Sequence, residues 1–150
     1  MLKYALAITA LFSLPVLACD GDEHAAQIGK ITVVELAQKL AVAQKPAAPV
    51  LAIFDANSDK TRATKGIIPT ATLLPSSSVY DTALLPKAKS DEIVFYCAAA
   101  TCSASHTAAQ RAIEAGHTNV KVLPEGIAGL LKAGQATQKQ TPAPVQPLQG

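Results

Sequence analysis

The segment "EIVFYCA", residues 92 to 98, constrains the fold more than any other part of the chain. Ile93 to Tyr96 are all β-branched or aromatic, and no polar residue alternates with them. A strand with one face in water alternates, whereas a strand covered on both faces reads as a continuous apolar run, the habit of parallel sheets. The run therefore predicts a strand in the middle of a parallel sheet, with Cys97 at its carboxyl end.

The flanking sequence supplies the other layers. "TVVELAQKLAVAQ" from Thr32 places Val33, Leu36, Ala37 and Leu40 on one helical face, with Thr32 as cap and Glu35 three residues later, a capping-box pattern. "PVLAIFDA" from Pro49 reads as a second buried strand, and "ATLLP" at 71 to 75 as a brief one stopped by Pro75. A helical turn is expected around Thr82 to Leu85. In "SASHTAAQRAIEAG" Ala104, Ala108, Ala112 and Ala115 share a helical face, Ser103 is a suitable N-cap, and Gly116 is a natural terminator. "NVKVL" gives a last strand and "EGIAGLLKAG" a last short helix. Strands alternating with helices predict an α/β fold, a parallel sheet with helices on both faces, whose ligands bind outside the carboxyl ends of the strands. The domain is expected over residues 31–134. The glutamine- and proline-rich segment 135–150 has too little apolar surface to order itself, so a disordered tail is expected there.

The chain opens "MLKYALAITALFSLPVLAC": one basic residue, a short apolar stretch and small residues at the end. A bilayer-spanning helix needs about 20 apolar residues, so residues 1–18 read as a cleavable export signal, followed by a polar tether over 19–30. "VLAC" also resembles a bacterial lipoprotein processing site, in which Cys19 becomes the lipidated first residue; the alternative is plain cleavage after Ala18. Export implies a periplasmic or secreted protein in an oxidising compartment, with membrane attachment only through a lipid at Cys19. The formal net charge is +2, and no lysine or arginine cluster marks a nucleic-acid surface, so that class is excluded.

Between Cys97 and the helix lie Ala98, Ala99, Ala100, Thr101, Cys102 and Ser103. A short loop that feeds a helix start can turn successive N–H groups inward and bind an anion. These six residues are the candidate anion-binding loop and Cys97 the candidate nucleophile, with a thiol pKa expected below the free value of about 8.5. The competing reading is that Cys97 is a small, inert core residue. His106 completes a C-x4-C-x3-H pattern, but three ligands at this spacing do not match zinc sites, and no metal or other cofactor is expected.

Taken in order, four stretches carry a family resemblance. "FYC" with its loop and "SAS", "GIIPTATLLP" at 66 to 75, "AGHTNVKVL" and "EGIAGLLKAG" are together similar to single-domain rhodanese-like proteins, over about Ile31 to Gly134. The resemblance implies a sulfurtransferase in which Cys97 attacks the outer sulfur of a thiosulfate- or persulfide-type donor, carries it as a persulfide, and yields it to a thiol or cyanide. Asn57, Ile67, Thr70 and Leu130 depart from the family's arginine, histidine, glycine and tryptophan, mainly at scaffold positions. The loop has no lysine or arginine, which disfavours doubly charged thiosulfate and leaves persulfides easier to accept. For the same reason the phosphatase and arsenate reductase relatives of this fold fit poorly, because a phosphate transition state needs a counter-charge.

Cys102 shares the loop with Cys97. It is the candidate resolving or disulfide partner, which would close a Cys97–Cys102 bond and require a periplasmic reductant. Two alternatives to sulfur transfer stand beside it: a non-catalytic binding module with a structural disulfide, or a thiol-disulfide redox protein using the pair.

Overall fold

Five strands form one parallel sheet in the order β1-β5-β4-β2-β3. The computed structural model describes residues 27–43, 45 and 50–139. Along the chain the elements are β1 (Gly29–Lys30), α1 (Val33–Ala43), β2 (Leu51–Asp55), α2 (Asp59–Lys65), β3 (Thr72–Leu73), a 3-10 turn (Thr82–Leu84), β4 (Glu92–Tyr96), α3 (Ala104–Glu114), β5 (Val120–Leu123) and α4 (Gly126–Lys132). The apolar run of β4 lies at the centre of the sheet, between β5 and β2.

Because side chains alternate across a strand, β4 divides its residues between two cores. Ile93 and Phe95 join Phe54, Val120, Val122 and the alanines of α3 on one face. Val94 and Tyr96 join Ile53, Leu123, Leu36 of α1, and Ile127 and Leu130 of α4 on the other. Helices therefore cover both faces, as expected. Phe54 and Phe95 stack with ring centroids 5.2 Å apart. Small residues on α3 let it approach closely, since Ala108, Ala109 and Ala112 are fully buried.

Local chemistry accounts for the element boundaries. The Thr32–Glu35 capping box is formed: the Thr32 amide donates to Glu35 Oε2 (2.8 Å) and the Glu35 amide to Thr32 Oγ1 (3.2 Å). Gly116, at φ +90°, follows the end of α3. Ser103 stands at the N-cap position of α3 but makes no side-chain capping bond.

Three features differ from the sequence expectation. Gly29 and Lys30, placed in the tether, form β1 and pair with Lys121 and Val122, so the sheet begins two residues before Ile31. Residues 59–65 form α2, which has no apolar periodicity because its one buried side chain is Arg62. The segment expected to be disordered is docked as far as Gln138, which pairs antiparallel with Ile67, while the Thr137 hydroxyl donates to Lys65 O (3.1 Å). Gly66 (φ +78°) permits this contact, since a Cβ there would stand 2.8 Å from Thr137 Oγ1. The export signal, Cys19, most of the tether and the rest of the tail lie outside the described residues. Among the described residues no helix is long and apolar enough to cross a membrane.

Candidate active site at the carboxyl end of the central strand

β2 and β4 run in register, Asp55 beside Tyr96, so their carboxyl ends open together. There the Tyr96 hydroxyl donates to Asp55 Oδ2 (2.6 Å) and accepts from the Ile68 amide (3.0 Å). Burial and the adjacent Asp55 carboxylate push the Tyr96 hydroxyl far above its usual pKa, so it remains a donor. The Asn57 amide donates to Asp55 Oδ1 (2.6 Å). Arg62 enters from α2, its Nε 3.4 Å from Asp55 Oδ1 and its Nη2 donating to the carbonyls of Asp55 (3.0 Å) and Leu74 (2.8 Å). Asp55, Arg62 and Tyr96 thus form a buried polar brace at the carboxyl ends of β2 and β4.

The brace explains one of the departures from the family pattern. Asn57 stands where an arginine was expected, and Arg62, five residues on and one helical turn into α2, supplies a buried guanidinium instead. Ile67 and Leu130 are buried in the scaffold. Thr70, at the family's glycine, has φ +69°, a conformation that a β-branched residue adopts only under strain.

Cys97 follows Tyr96 directly and is buried, 1% exposed. The chain then turns at Ala99 to Cys102, where the Cys102 amide donates back to Ala99 O (2.9 Å). Ala98 and Ala99 are half-buried; Ala100, Thr101 and Ser103 are exposed; Cys102 is half-buried. Helix α4 holds the loop from below, with Ile127 N donating to Cys97 O (2.9 Å) and Ala128 N to Ala98 O (3.1 Å). Gly126, at φ +58°, allows this approach, since a Cβ there would lie 2.8 Å from Ala99 N and 2.9 Å from Ala98 C.

The two sulfurs are free and meet different surroundings. The Cys97 thiol donates to Cys102 O (3.2 Å), with Ala99 O at 3.9 Å and Ser105 Oγ at 3.4 Å. Burial and its hydrogen bond with Cys102 push the Cys97 pKa up, which Ser105 only partly offsets. The expectation of a lowered Cys97 pKa is therefore reversed: carbonyl oxygens as well as amides face this sulfur. At Cys102 burial also works against the thiolate, but the bond from Cys97 and the backbone amides of Ala98 and Ala104 outweigh it, and the pKa is lowered. Of the amides that the sequence assigned to Cys97, that of Ala98 favours the Cys102 thiolate instead, joined there by Ala104 from α3.

Ser105, 1% exposed, was not among the sequence candidates. Its position eight residues after Cys97, on the first turn of the helix that returns over the strand end, was the available signal. His106 is exposed on α3.

Comparison with known proteins places the arrangement. A family model described as rhodanese-like domain matches residues 32–133. The rhodanese-like domain of an Anabaena protein superimposes with a TM-score of 0.60 at 23% identity, covering 80% of this chain and 89% of that one. A thiosulfate sulfurtransferase from Pseudomonas aeruginosa gives 0.56 at 22% identity, over 76% of this chain and 21% of that one. A Rhodopseudomonas palustris protein of unknown function, described as a possible tyrosine phosphatase, gives 0.56 at 20% identity, over 74% of this chain and 85% of that one. No curated protein matches.

Proposed function

Given that the chain belongs to the rhodanese-like family, we propose that it transfers sulfane sulfur, using the loop cysteines 97 and 102 to take the outer sulfur of a donor as a protein persulfide and pass it to a thiol or cyanide. The supporting observation is the free pair at the carboxyl end of the central strand, where the backbone amides of Ala98 and Ala104 favour the Cys102 thiolate and that of Ser105 favours the Cys97 thiolate. Such amides stabilise a thiolate or persulfide anion without a metal.

The donor class follows from charge. No lysine or arginine lies in residues 98–103, and the nearby Arg62 is committed to Asp55, Asp59 and the carbonyls of Asp55 and Leu74. A singly charged or neutral persulfide suits this loop better than thiosulfate, and the same lack of an arginine argues against phosphoryl chemistry. On this reading the protein works outside the cytoplasm, free or anchored through Cys19, and depends on a dithiol reductant whenever the pair oxidises.

The test is thiocyanate release from cyanide with glutathione persulfide and with thiosulfate. The reduced protein should be faster with the persulfide, and a Cys97→Ser/Cys102→Ser double variant should fall to the background rate. Equal rates for the double variant and the native protein with both donors would remove the proposal.

A further inference from the structure

Ser105 brings a buried hydroxyl against the strand-end sulfur. Resting on the sulfur-transfer reading, we propose that Ser105 is a catalytic residue: its hydroxyl donates to the Cys97 sulfur and holds the negative charge there, both when Cys97 attacks the donor and when the sulfane sulfur is passed on.

Packing does not account for the hydroxyl. Ser105 is 1% exposed and lies on the face of α3 that carries Ala108, Ala109 and Ala112, each fully buried. An alanine would continue that stripe. A buried hydroxyl needs a partner, and within a helix it ordinarily finds the carbonyl four residues back. Thr107 does so, donating to Ser103 O (3.3 Å). For Ser105 the corresponding residue is Thr101, which belongs to the turn ahead of the helix. Among the described residues the only partner of Ser105 Oγ is the Cys97 sulfur, at 3.4 Å.

The direction of that bond follows from the other contacts. The Cys97 thiol has one proton, which goes to Cys102 O (3.2 Å), with Ala99 O farther off at 3.9 Å. Ser105 is therefore left to donate. Once Cys97 is deprotonated both carbonyl oxygens become repulsive toward the sulfur, and no lysine or arginine in residues 98–103 offsets them. Among the described residues Ser105 Oγ is then the one hydroxyl within hydrogen-bond distance of the thiolate, and a hydrogen bond to a charged acceptor is roughly twice as strong as one between neutral groups. The Cys97 pKa agrees: burial raises it most, and the Ser105 hydroxyl and amide pull it back.

Charge appears at the same atom in both half-reactions. The Cys97 thiolate attacks the outer sulfur of a persulfide R–S–SH; the donor's S–S bond breaks, R–S⁻ leaves and takes the proton that Cys97 gave up, and Cys97–S–SH forms. An acceptor thiolate R′–S⁻ then attacks the outer sulfur. The bond between the two sulfurs breaks, R′–S–SH departs, and the electron pair returns to Cys97 as its thiolate, which recovers the proton released by the acceptor thiol. There is no net oxidation: R–S–SH and R′–SH become R–SH and R′–S–SH. The Ser105 hydroxyl faces the Cys97 sulfur at both steps.

The test compares Ser105→Ala and Ser105→Thr with the native protein, each checked by its urea midpoint. Reduced protein is alkylated with iodoacetamide over a range of pH, and the rate at Cys97 is read by peptide mass spectrometry. In Ser105→Ala the profile should move to higher pH, so that at neutral pH Cys97 reacts about tenfold more slowly. Ser105→Thr keeps the hydroxyl and should stay near the native profile. Thiocyanate release from glutathione persulfide and cyanide should fall by the same factor in Ser105→Ala. An alanine variant with the native profile overturns the proposal, as does a threonine variant with a native urea midpoint and the alanine profile. A native protein that passes on no sulfur refutes the proposed function instead, and the alkylation profiles still judge whether Ser105 holds the charge on Cys97.

Discussion

The two ends of β4 handle polarity in opposite ways. At the amino end Glu92 is held between Lys39 (2.8 Å) and Lys121 (2.7 Å), whose side chains are 42% and 31% exposed, so water shares the charge. At the carboxyl end Asp55, Arg62, Tyr96 and Cys97 are closed off from water, and each polar group depends on its neighbours. Surface ion pairs contribute about 0–1 kcal/mol, whereas breaking a buried pair costs about 3–5 kcal/mol because a charge is left stranded. One strand thus joins a tolerant pole to an intolerant one, and the proposed chemistry sits at the intolerant pole.

Substitutions at the carboxyl end should have the largest effects. Arg62→Ala leaves the Asp55 carboxylate buried without its cation, and urea unfolding should show a loss of about 3–5 kcal/mol; a loss below that of an exposed pair would erase the contrast between the poles. Gly126→Ala forces a side chain into φ +58° against the backbone of Ala98 and Ala99. It should cost at least about 2 kcal/mol, measured in the same way, and should displace the loop, seen as faster alkylation of Cys97. Thr70→Gly should act in the opposite direction and stabilise by about 1 kcal/mol through relief of the positive φ.

Effects at the amino end should be smaller and should respond to the solution. Lys39→Ala and Lys121→Ala should each cost less than about 1 kcal/mol, and less again in high salt. Glu92 has its pKa lowered: burial opposes the charge, but the two lysines outweigh it. Its contribution is therefore present above the unfolded value of 4.5 and is lost as the pH falls through the lower folded pKa. Buried His117 lies with Nε2 3.1 Å from Lys89 Nζ, and burial, then that lysine, lower its pKa. Below 6.5 the unfolded chain binds a proton that the folded chain resists, so stability should decline from pH 6.5 downward until the folded pKa is reached. Thermal melts from pH 8 to 5 check this, and the decline should vanish in His117→Gln.

The contrast between the poles also explains what could be read in advance. Ile93 to Tyr96 announce a doubly covered strand because burial on both faces leaves no place for alternation, and the alanines of α3 announce a close-packed helix. α2 gave no such signal, because Arg62 buries a guanidinium rather than an apolar stripe, and hydrophobic period is blind to that. β1 is two residues long and is held by main-chain pairing to β5, which side-chain pattern does not report. At the site, the position of the cysteines at the strand end was legible from spacing. The environment of each sulfur was not, because it depends on which way individual peptide groups turn between Ala98 and Ser105.

The pairing of Gln138 with Ile67 has a mechanical consequence. Ile68, the next residue, donates to the Tyr96 hydroxyl, and Tyr96 is the covalent neighbour of Cys97. Tension applied to the chain beyond Lys139, by a fused partner or a surface tether, is therefore delivered within a few bonds of the Cys97 thiol. An attachment at the opposite end enters through the outermost strand of the sheet and has two intervening strand pairings over which to dissipate.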